Sequence, residues 1–135
     1  MSLQGQKAII KGTGLYLPRR RVTSAEIDSR IGKKSGWTAR ASGVEARTVA
    51  GAEEPQEMMG VQAARQALRE AKLDPRDLDL ILFGAAVGRQ PIPATAPLIK
   101  RELGCDGANF PAYDINATCL SALAAMDIAA MHIES

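Results

Sequence analysis

The sequence is poor in cysteine, histidine and aromatic residues, and it lacks a long hydrophobic run. Its 135 residues include two cysteines, Cys105 and Cys119, and a single histidine. Two cysteines cannot build a disulfide framework in a chain of this size, and no basic-then-apolar leader precedes them. We therefore expect a cytoplasmic protein in which both thiols are reduced.

An excess of charge of one sign is also missing. Lys and Arg total 17 against 15 acidic residues, which gives a formal net charge of +2. This balance does not indicate a nucleic-acid or membrane surface, and we expect neither partner. The apolar stretch 120–131 is too short for a bilayer span, which needs about 20 residues. The basic run 19–21 is interpreted first as a solvated turn and second as a local site for an anionic partner.

Strands and helices are predicted to alternate along the chain. The predicted strands are 7–18 (a strand running into a loop), 78–86 (buried on both faces) and 110–115. The predicted helices are 24–31, the segment between Pro55 and Asp74, 96–103 and the segment from Cys119 onward. This alternation predicts an α/β layered fold with a parallel sheet covered by helices on both faces.

Three residues are predicted to mark helix ends: Ser24 and Thr95 as N-caps, and Gly104 in the left-handed position after a helix. The last helix is apolar almost all round, which is typical of a helix enclosed by protein. Because the chain stops within it, at Ser135, we expect a truncated domain over 7–135 or reliance on a partner. Residues 1–6 are expected to be a tag remnant or a disordered start.

Cys119 follows a predicted strand and opens the apolar helix. A thiol at a helix start faces unpaired backbone N–H groups and the positive end of the helix dipole, which favour the reactive thiolate. The same N–H groups can stabilise the oxyanion formed when a thioester carbonyl is attacked. From spacing alone, a cysteine in an apolar run is more often an inert core residue, so both interpretations stay open. Cys105 is interpreted as a packing residue.

Five segments share the order found in one family of enzymes. They are 12–18, Trp37 with Gly43, Val44 and Arg47, the Leu103–Gly104 pair, 110–115, and 116–119 ending at Cys119. Together they resemble the β-ketoacyl-ACP synthase III family of the thiolase-like superfamily, over a match that runs from residue 7 to the end. The resemblance implies a thiolase-like layered α/β fold, of which this chain is the amino-terminal half, with a mainly parallel sheet flanked by helices.

The resemblance also implies an acyltransferase of fatty-acid or related acyl metabolism. Cys119 would accept an acyl group from a thioester and pass it to a carbanion made from a malonyl thioester. The implied partners are acyl-CoA or acyl carrier protein thioesters and a second copy of the chain in a homodimer. No metal and no cofactor are implied.

The family also uses a His and an Asn from the second half of the fold, so the chain alone is expected not to complete a turnover. His132 lies 13 residues after Cys119 on the same predicted helix. At about 1.5 Å per residue this separation is roughly 20 Å, which excludes His132 as the catalytic base.

Five further residues are assigned to substrate binding by the resemblance: Trp37, Arg40, Arg47, Ile92 and Leu123. Trp37 would be a platform for the adenine of a CoA thioester. Ile92 would project an apolar side chain across the dimer axis towards the partner's acyl pocket. Leu123, together with Leu120, would reshape the acyl tunnel and leave the chain length open.

The sequence departs from the family pattern near Trp37. Ala41 stands where an arginine is usual, with Arg40 one residue earlier, and Lys33 stands where a threonine is usual. Either the local loop shifts or CoA is not the natural acyl donor. Two other functions stay open: a non-catalytic acyl-binding or assembly module, and a relative that joins two acyl-CoA thioesters. Leu17 replaces the third glycine of a dinucleotide loop starting at Gly12, which excludes nucleotide binding there.

Overall fold

The computed structural model describes residues 8–134, so the expectation for residues 1–6 lies outside the described residues. These form two compact units: a larger one (8–16 and 56–134) and a smaller one (17–55). The strands are β1 Arg20–Thr23, β2 Ala46–Val49, β3 Ile81–Gly84 and β4 Ala112–Ile115. The α-helices are α1 Ser24–Arg30, α2 Trp37–Ser42, α3 Gln56–Ala71, α4 Thr95–Glu102 and α5 Ser121–Glu134.

The larger unit is a layered α/β arrangement around β3 and β4. These strands are parallel, with Ile81 opposite Ala112. On one face of the pair, Ile81 and Phe83 pack against a buried cluster of Val61, Ile99, Leu103 and Cys105 from α3, α4 and the segment after α4. On the other face, Leu82 and Gly84 line a groove with residues of α5. The predicted α/β fold with a parallel pair flanked by helices is therefore confirmed.

The N-terminal segment does not form the strand predicted over 7–18: no residue from 8 to 18 is in a strand. The part up to residue 16 lies along α3 instead. The Thr13 N–H and hydroxyl donate to the Glu70 carboxylate at 2.9 and 3.0 Å, and the Leu15 N–H donates to the Gln66 side chain at 3.0 Å. Side chains of α3 thus satisfy backbone amides that a strand would pair with a neighbouring strand.

The other predicted strands are present but shorter. The turn Pro75–Asp77 precedes β3, and the predicted strand 110–115 is reduced to β4. All four residues of β3 are half-buried, so the prediction of burial on both faces is wrong. A sheet of two strands leaves its edges uncovered, which explains this partial exposure.

The two predicted N-caps are wrong, whereas the other helix-end prediction is confirmed. α1 is capped by Thr23, whose hydroxyl accepts a backbone N–H of the first turn, and Ser24 is already helical. At α4 the Asp114 carboxylate accepts the N–H groups of Thr95 and Ala96 at 2.9 and 2.7 Å. A carboxylate binds two amides at once and matches the positive end of the helix dipole. Gly104 follows α4 with a φ of 85°, as predicted.

Both long predicted helices are present, but α5 begins later than predicted and is less enclosed by protein. α3 confirms the helix predicted between Pro55 and Asp74, whereas α5 begins at Ser121 and not at Cys119. The prediction that protein encloses α5 on every side is wrong for the described part of the chain, where Leu123 and Met126 are 63% and 60% exposed. Exposed apolar surface of this kind is typical of contacts with further protein. No helix among the described residues is long and apolar enough to cross a membrane.

The smaller unit contains two strands that the sequence did not predict. β1 and β2 are antiparallel, with Arg20 opposite Val49 and Thr23 opposite Ala46. Arg20 and Arg21 therefore lie in a strand and not in a turn, although both are exposed. Strands of four residues give too little alternation of apolar and polar positions to be detected.

Candidate active site around Cys119

Cys119 lies in a short 3₁₀ turn, Thr118–Leu120, between the carboxyl end of β4 and the start of α5. The residue is exposed. Cys105, by contrast, is 2% exposed, and its Sγ lies 3.3 Å from the Pro75 carbonyl oxygen, in agreement with a packing role. The two thiols therefore differ in accessibility, and Cys119 is the one that a reagent in solution can reach.

The backbone immediately before Cys119 is strained. Thr118 has a φ of 51°, in the left-handed region that β-branched residues rarely adopt. Its N–H donates to Asn116 Oδ1 at 3.0 Å, and its carbonyl accepts the Ser121 hydroxyl at 2.7 Å. Strained residues of this kind occur often at functional sites, where surrounding contacts hold them in place.

Gly84, the last residue of β3, allows α5 to approach the sheet closely just after Cys119. A Cβ added at Gly84 would lie 2.7 Å from the Ser121 carbonyl oxygen and 3.1 Å from the Ala122 Cα. These are backbone atoms of the first turn of α5, so no side-chain rotation relieves the contact.

Gly84→Ala is expected to destabilise the chain by about 1–3 kcal/mol, because added volume at a close-packed position forces the backbone apart. We also expect slower alkylation of Cys119 by iodoacetamide, since the helix start must move. Urea unfolding followed by circular dichroism measures the first effect. Gly107→Ala is the control, because a Cβ there would meet nothing within 4 Å. Equal unfolding midpoints for the two variants would show that β3 and α5 are not closely packed.

Two of the predicted substrate-binding residues, Ile92 and Leu123, share the larger unit with Cys119. Leu123 lies in the first turn of α5, and Ile92, in the loop before α4, is 87% exposed. The Ile92 loop is tied to the chain that precedes Cys119, because Asn116 Nδ2 donates to the Ala86 carbonyl at 3.0 Å. Both side chains are exposed and available for contact, and their roles stay predictions.

The other three, Trp37, Arg40 and Arg47, lie in the smaller unit. Trp37 opens α2 and is 45% exposed, with the Lys33 Nζ 5.3 Å from the centroid of its ring. Arg40 follows on the same helix and is exposed. Arg47 lies in β2 and donates to the Ser24 hydroxyl at 3.2 Å. Lys33, one of the departures from the family pattern, thus contacts the ring predicted to bind adenine.

Asp28 holds the start of α2 and was not predicted from the sequence. The residue is 1% exposed, and its carboxylate accepts the N–H groups of Gly36, Trp37 and Thr38 at 2.7, 3.1 and 2.9 Å. The Thr38 hydroxyl donates to it at 2.5 Å and is the largest cause that holds the pKa of Asp28 below its ordinary value. The bonds cross a loop of about ten residues, so no local motif reveals them.

Acidification is expected to break the hydrogen bonds between the Asp28 carboxylate and the start of α2. Because the folded-state pKa of Asp28 lies below its ordinary value of 3.8, the carboxylate stabilises the fold above that pH and loses this contribution as the pH falls through the folded-state pKa. Trp37 is the single tryptophan, so its emission should shift to the red below pH 3.8. Asp28→Asn should show the shifted emission already at neutral pH, whereas Asp106→Asn, an exposed control, should behave as the parent. An acid transition that persists unchanged in Asp28→Asn would contradict this assignment.

The chain is similar in sequence and in structure to several known proteins. No protein-family model matches it. The β-ketoacyl-[acyl-carrier-protein] synthase III of Erythrobacter litoralis is 37% identical over 124 residues, which are 90% of this chain and 38% of that protein. The crystal structure of 3-oxoacyl-[acyl-carrier-protein] synthase III from Aquifex aeolicus superposes with a TM-score of 0.82 at 36% identity, over 89% of this chain and 38% of the other.

The chain is similar to the amino-terminal portion of β-ketoacyl-ACP synthase III. The priming β-ketosynthase of the R1128 polyketide pathway is also similar, with a TM-score of 0.87 and 33% identity over 93% of this chain and 37% of that one. The matches to these synthases confirm the resemblance carried by the five sequence segments and the thiolase-like fold. The chain spans about 38% of the synthases that it matches and corresponds to their amino-terminal portion.

The polar side chains that support the candidate site were not predicted from the sequence. Asp114 interrupts an apolar strand, and a polar residue in such a strand could have indicated a cap for a neighbouring helix. Asn116 two residues before Thr118 fits an Asx turn, in which the side chain accepts the second following N–H. Ser121 carries no comparable local signal, because its partners are defined only by the turn itself.

Proposed function

We propose that Cys119 is the acyl-accepting nucleophile of a condensing acyltransferase of fatty-acid or related acyl metabolism. The observation that carries the proposal is an exposed thiol on a strained turn between a parallel strand and a helix, whereas the second cysteine is buried. Similarity to synthases of β-ketoacyl-acyl carrier protein supports the same chemistry.

In the first step, the Cys119 thiolate attacks the carbonyl carbon of an acyl thioester. A bond forms between Sγ and that carbon, and the carbonyl electron pair moves to oxygen to give a tetrahedral oxyanion. The oxyanion collapses, the bond to the donor's sulfur breaks, and the released thiolate takes up a proton. The acyl group is then held as a thioester on Cys119. The chain itself supplies the nucleophile and the backbone around it.

In the second step, a malonyl thioester loses carbon dioxide, and the electron pair of the broken carbon–carbon bond becomes a carbanion. The carbanion attacks the acyl carbon on Cys119, a new carbon–carbon bond forms, and Sγ leaves as the thiolate. The product is a 3-oxoacyl thioester. We assign this step to the complete protein and the first step to this chain, since the chain matches 38% of the relative's length.

The partners proposed for the complete protein are acyl-CoA or acyl carrier protein thioesters and a second copy in a homodimer, in the cytoplasm. Trp37, Arg40 and Arg47 are assigned to the donor, and Ile92 and Leu123 to the acyl chain. The Lys33 Nζ lies over one face of the Trp37 ring, so an adenine of CoA would stack on the opposite face or displace the lysine, and both donors stay in the proposal.

Intact-mass measurement after incubation with acetyl-, octanoyl- and longer acyl-CoA, and with the matching acyl carrier proteins, tests the first step. A mass increase of one acyl group is expected for the parent and not for Cys119→Ala. The chain length and the donor that react fastest identify the preferred substrate. Binding of the thioesters without a covalent adduct would instead support a non-catalytic acyl-binding module, and an adduct that condenses with a second acyl-CoA would support a synthase that joins two acyl-CoA thioesters.

A further inference from the structure

Two side chains that take no part in the chemistry above bind three consecutive peptide groups before Cys119. The Ser121 hydroxyl accepts the Ala117 N–H at 3.0 Å and donates to the Thr118 carbonyl at 2.7 Å. Asn116 Oδ1 accepts the Thr118 N–H between them at 3.0 Å. Ser121 is 3% exposed, so water has little access to replace its bonds.

The bond from Ser121 to the Thr118 carbonyl also sets the direction of the Cys119 N–H. A trans peptide group is planar, and its C=O and N–H point in opposite directions. Fixing the direction of the Thr118 carbonyl therefore also fixes the direction of the Cys119 N–H, because both belong to the same planar peptide group. A backbone N–H aimed at the position of a developing oxyanion is among the most effective groups in acyl transfer.

We propose that Ser121 and Asn116 are positioning residues that aim the Cys119 N–H at the oxyanion formed during acyl transfer, an inference that rests on the proposed function of Cys119. Thr118 has a φ of 51°, and without these bonds it returns to a common backbone region, which rotates the Thr118–Cys119 peptide. Asn116 also ties the turn to Ala86, at the start of the loop that carries Ile92.

Two thiol reagents separate this role from a general structural one. Iodoacetamide alkylates a thiolate by displacement at carbon and forms no oxyanion. p-Nitrophenyl acetate acylates the same thiolate through a tetrahedral oxyanion, from which nitrophenolate leaves. The ratio of the two second-order rate constants, measured at Cys119 in the Cys105→Ala background, cancels differences in exposure and ionisation. Because unfolding would also remove a directed N–H, the ratio is compared only among variants whose circular dichroism spectrum and urea unfolding midpoint match those of the parent. In such a variant a lowered ratio reports a misdirected N–H.

Ser121→Ala is expected to lower the acylation-to-alkylation ratio about tenfold or more, since removal of one oxyanion donor costs about 10²–10³-fold. Ser121→Thr keeps the hydroxyl and should retain the parent ratio. Asn116→Ala should lower the ratio by a smaller factor, and Asn109→Ala, an exposed control, should leave it unchanged. Equal ratios in the parent and in Ser121→Ala would overturn the inference. If Ser121→Ala does not fold, the ratio of Asn116→Ala decides in the same way.

Neither reagent is a substrate of the proposed condensation, so each of the two proposals can be contradicted while the other still holds. A lowered ratio in Ser121→Ala with no acylation by any acyl-CoA or acyl carrier protein would keep the positioning role and reject the proposed function. Acylation by a thioester donor with an unchanged ratio would keep the function and reject the positioning role.

Discussion

Replacing Gly14 with alanine is expected to destabilise the larger unit by about 3 kcal/mol, the upper end of the usual cost of overpacking. A Cβ at Gly14 would overlap the Ala63 carbonyl oxygen and lie 3.0 Å from the Ala67 amide nitrogen. Both atoms belong to the backbone of α3, so the 8–16 segment must separate from the helix. The bonds from Thr13 and Leu15 to side chains of α3 would be lost with it.

Gly60→Ala is the informative contrast for this variant. The added Cβ would lie 2.6 Å from Ile99 Cδ1, the far end of a side chain, so a side chain and not the backbone must shift. Gly60 is inside α3, where alanine is favoured over glycine by about 1 kcal/mol, so the net change should be close to zero. Urea unfolding of both variants measures the difference. If Gly14→Ala unfolded at the parent midpoint, the 8–16 segment would not lie against α3 in solution.

Cys119→Ser is expected to lower acyl transfer at least about 10³-fold, because an alcohol at neutral pH is a far weaker nucleophile than a thiolate. Cys105→Ala should keep the parent rate per folded molecule, since Cys105 is 2% exposed and cannot meet a thioester. Cys119→Ser should leave the unfolding midpoint nearly unchanged, because the residue is exposed. Loss of acyl transfer in Cys105→Ala, with transfer kept in Cys119→Ser, would reverse the assignment.

The sequence predicted the larger elements well because their signals are local and repeated. α3 has apolar residues at helical spacing over four turns, and Gly104 marks the end of α4 through a backbone requirement that glycine meets best. The five ordered segments gave the resemblance to β-ketoacyl-ACP synthase III, and the comparisons confirmed this resemblance.

Several of the errors originate in contacts between residues distant in sequence. The amino-terminal segment was predicted as a strand because Ala8, Ile9 and Ile10 are apolar, yet its amides bind side chains of α3 more than fifty residues later. The capping residue of α4 is Asp114, which follows the helix in the chain. Asp28 supports Trp37 across a loop in the same way.

The candidate site was also predicted only in part. Cys119 could be located from its motif and from the change between strand and helix, whereas the strained φ of Thr118 and the bonds of Ser121 could not. Left-handed backbone at a threonine is contrary to its intrinsic preference, so only the surrounding contacts explain it. The support of the proposed nucleophile is therefore a property of the folded turn, although Cys119 itself is visible in the sequence.

Peptide mapping of the chain after brief exposure to an acyl thioester tests the central claim most directly. The chain is incubated with acyl-CoA or acyl carrier protein donors, digested, and analysed by tandem mass spectrometry for the acyl group on each cysteine. We predict an acyl thioester on Cys119, no acyl group on Cys105, and loss of the label after treatment with hydroxylamine, which cleaves thioesters. Acylation of Cys105 with Cys119 unmodified, or no acylation of either cysteine by any donor, would contradict it.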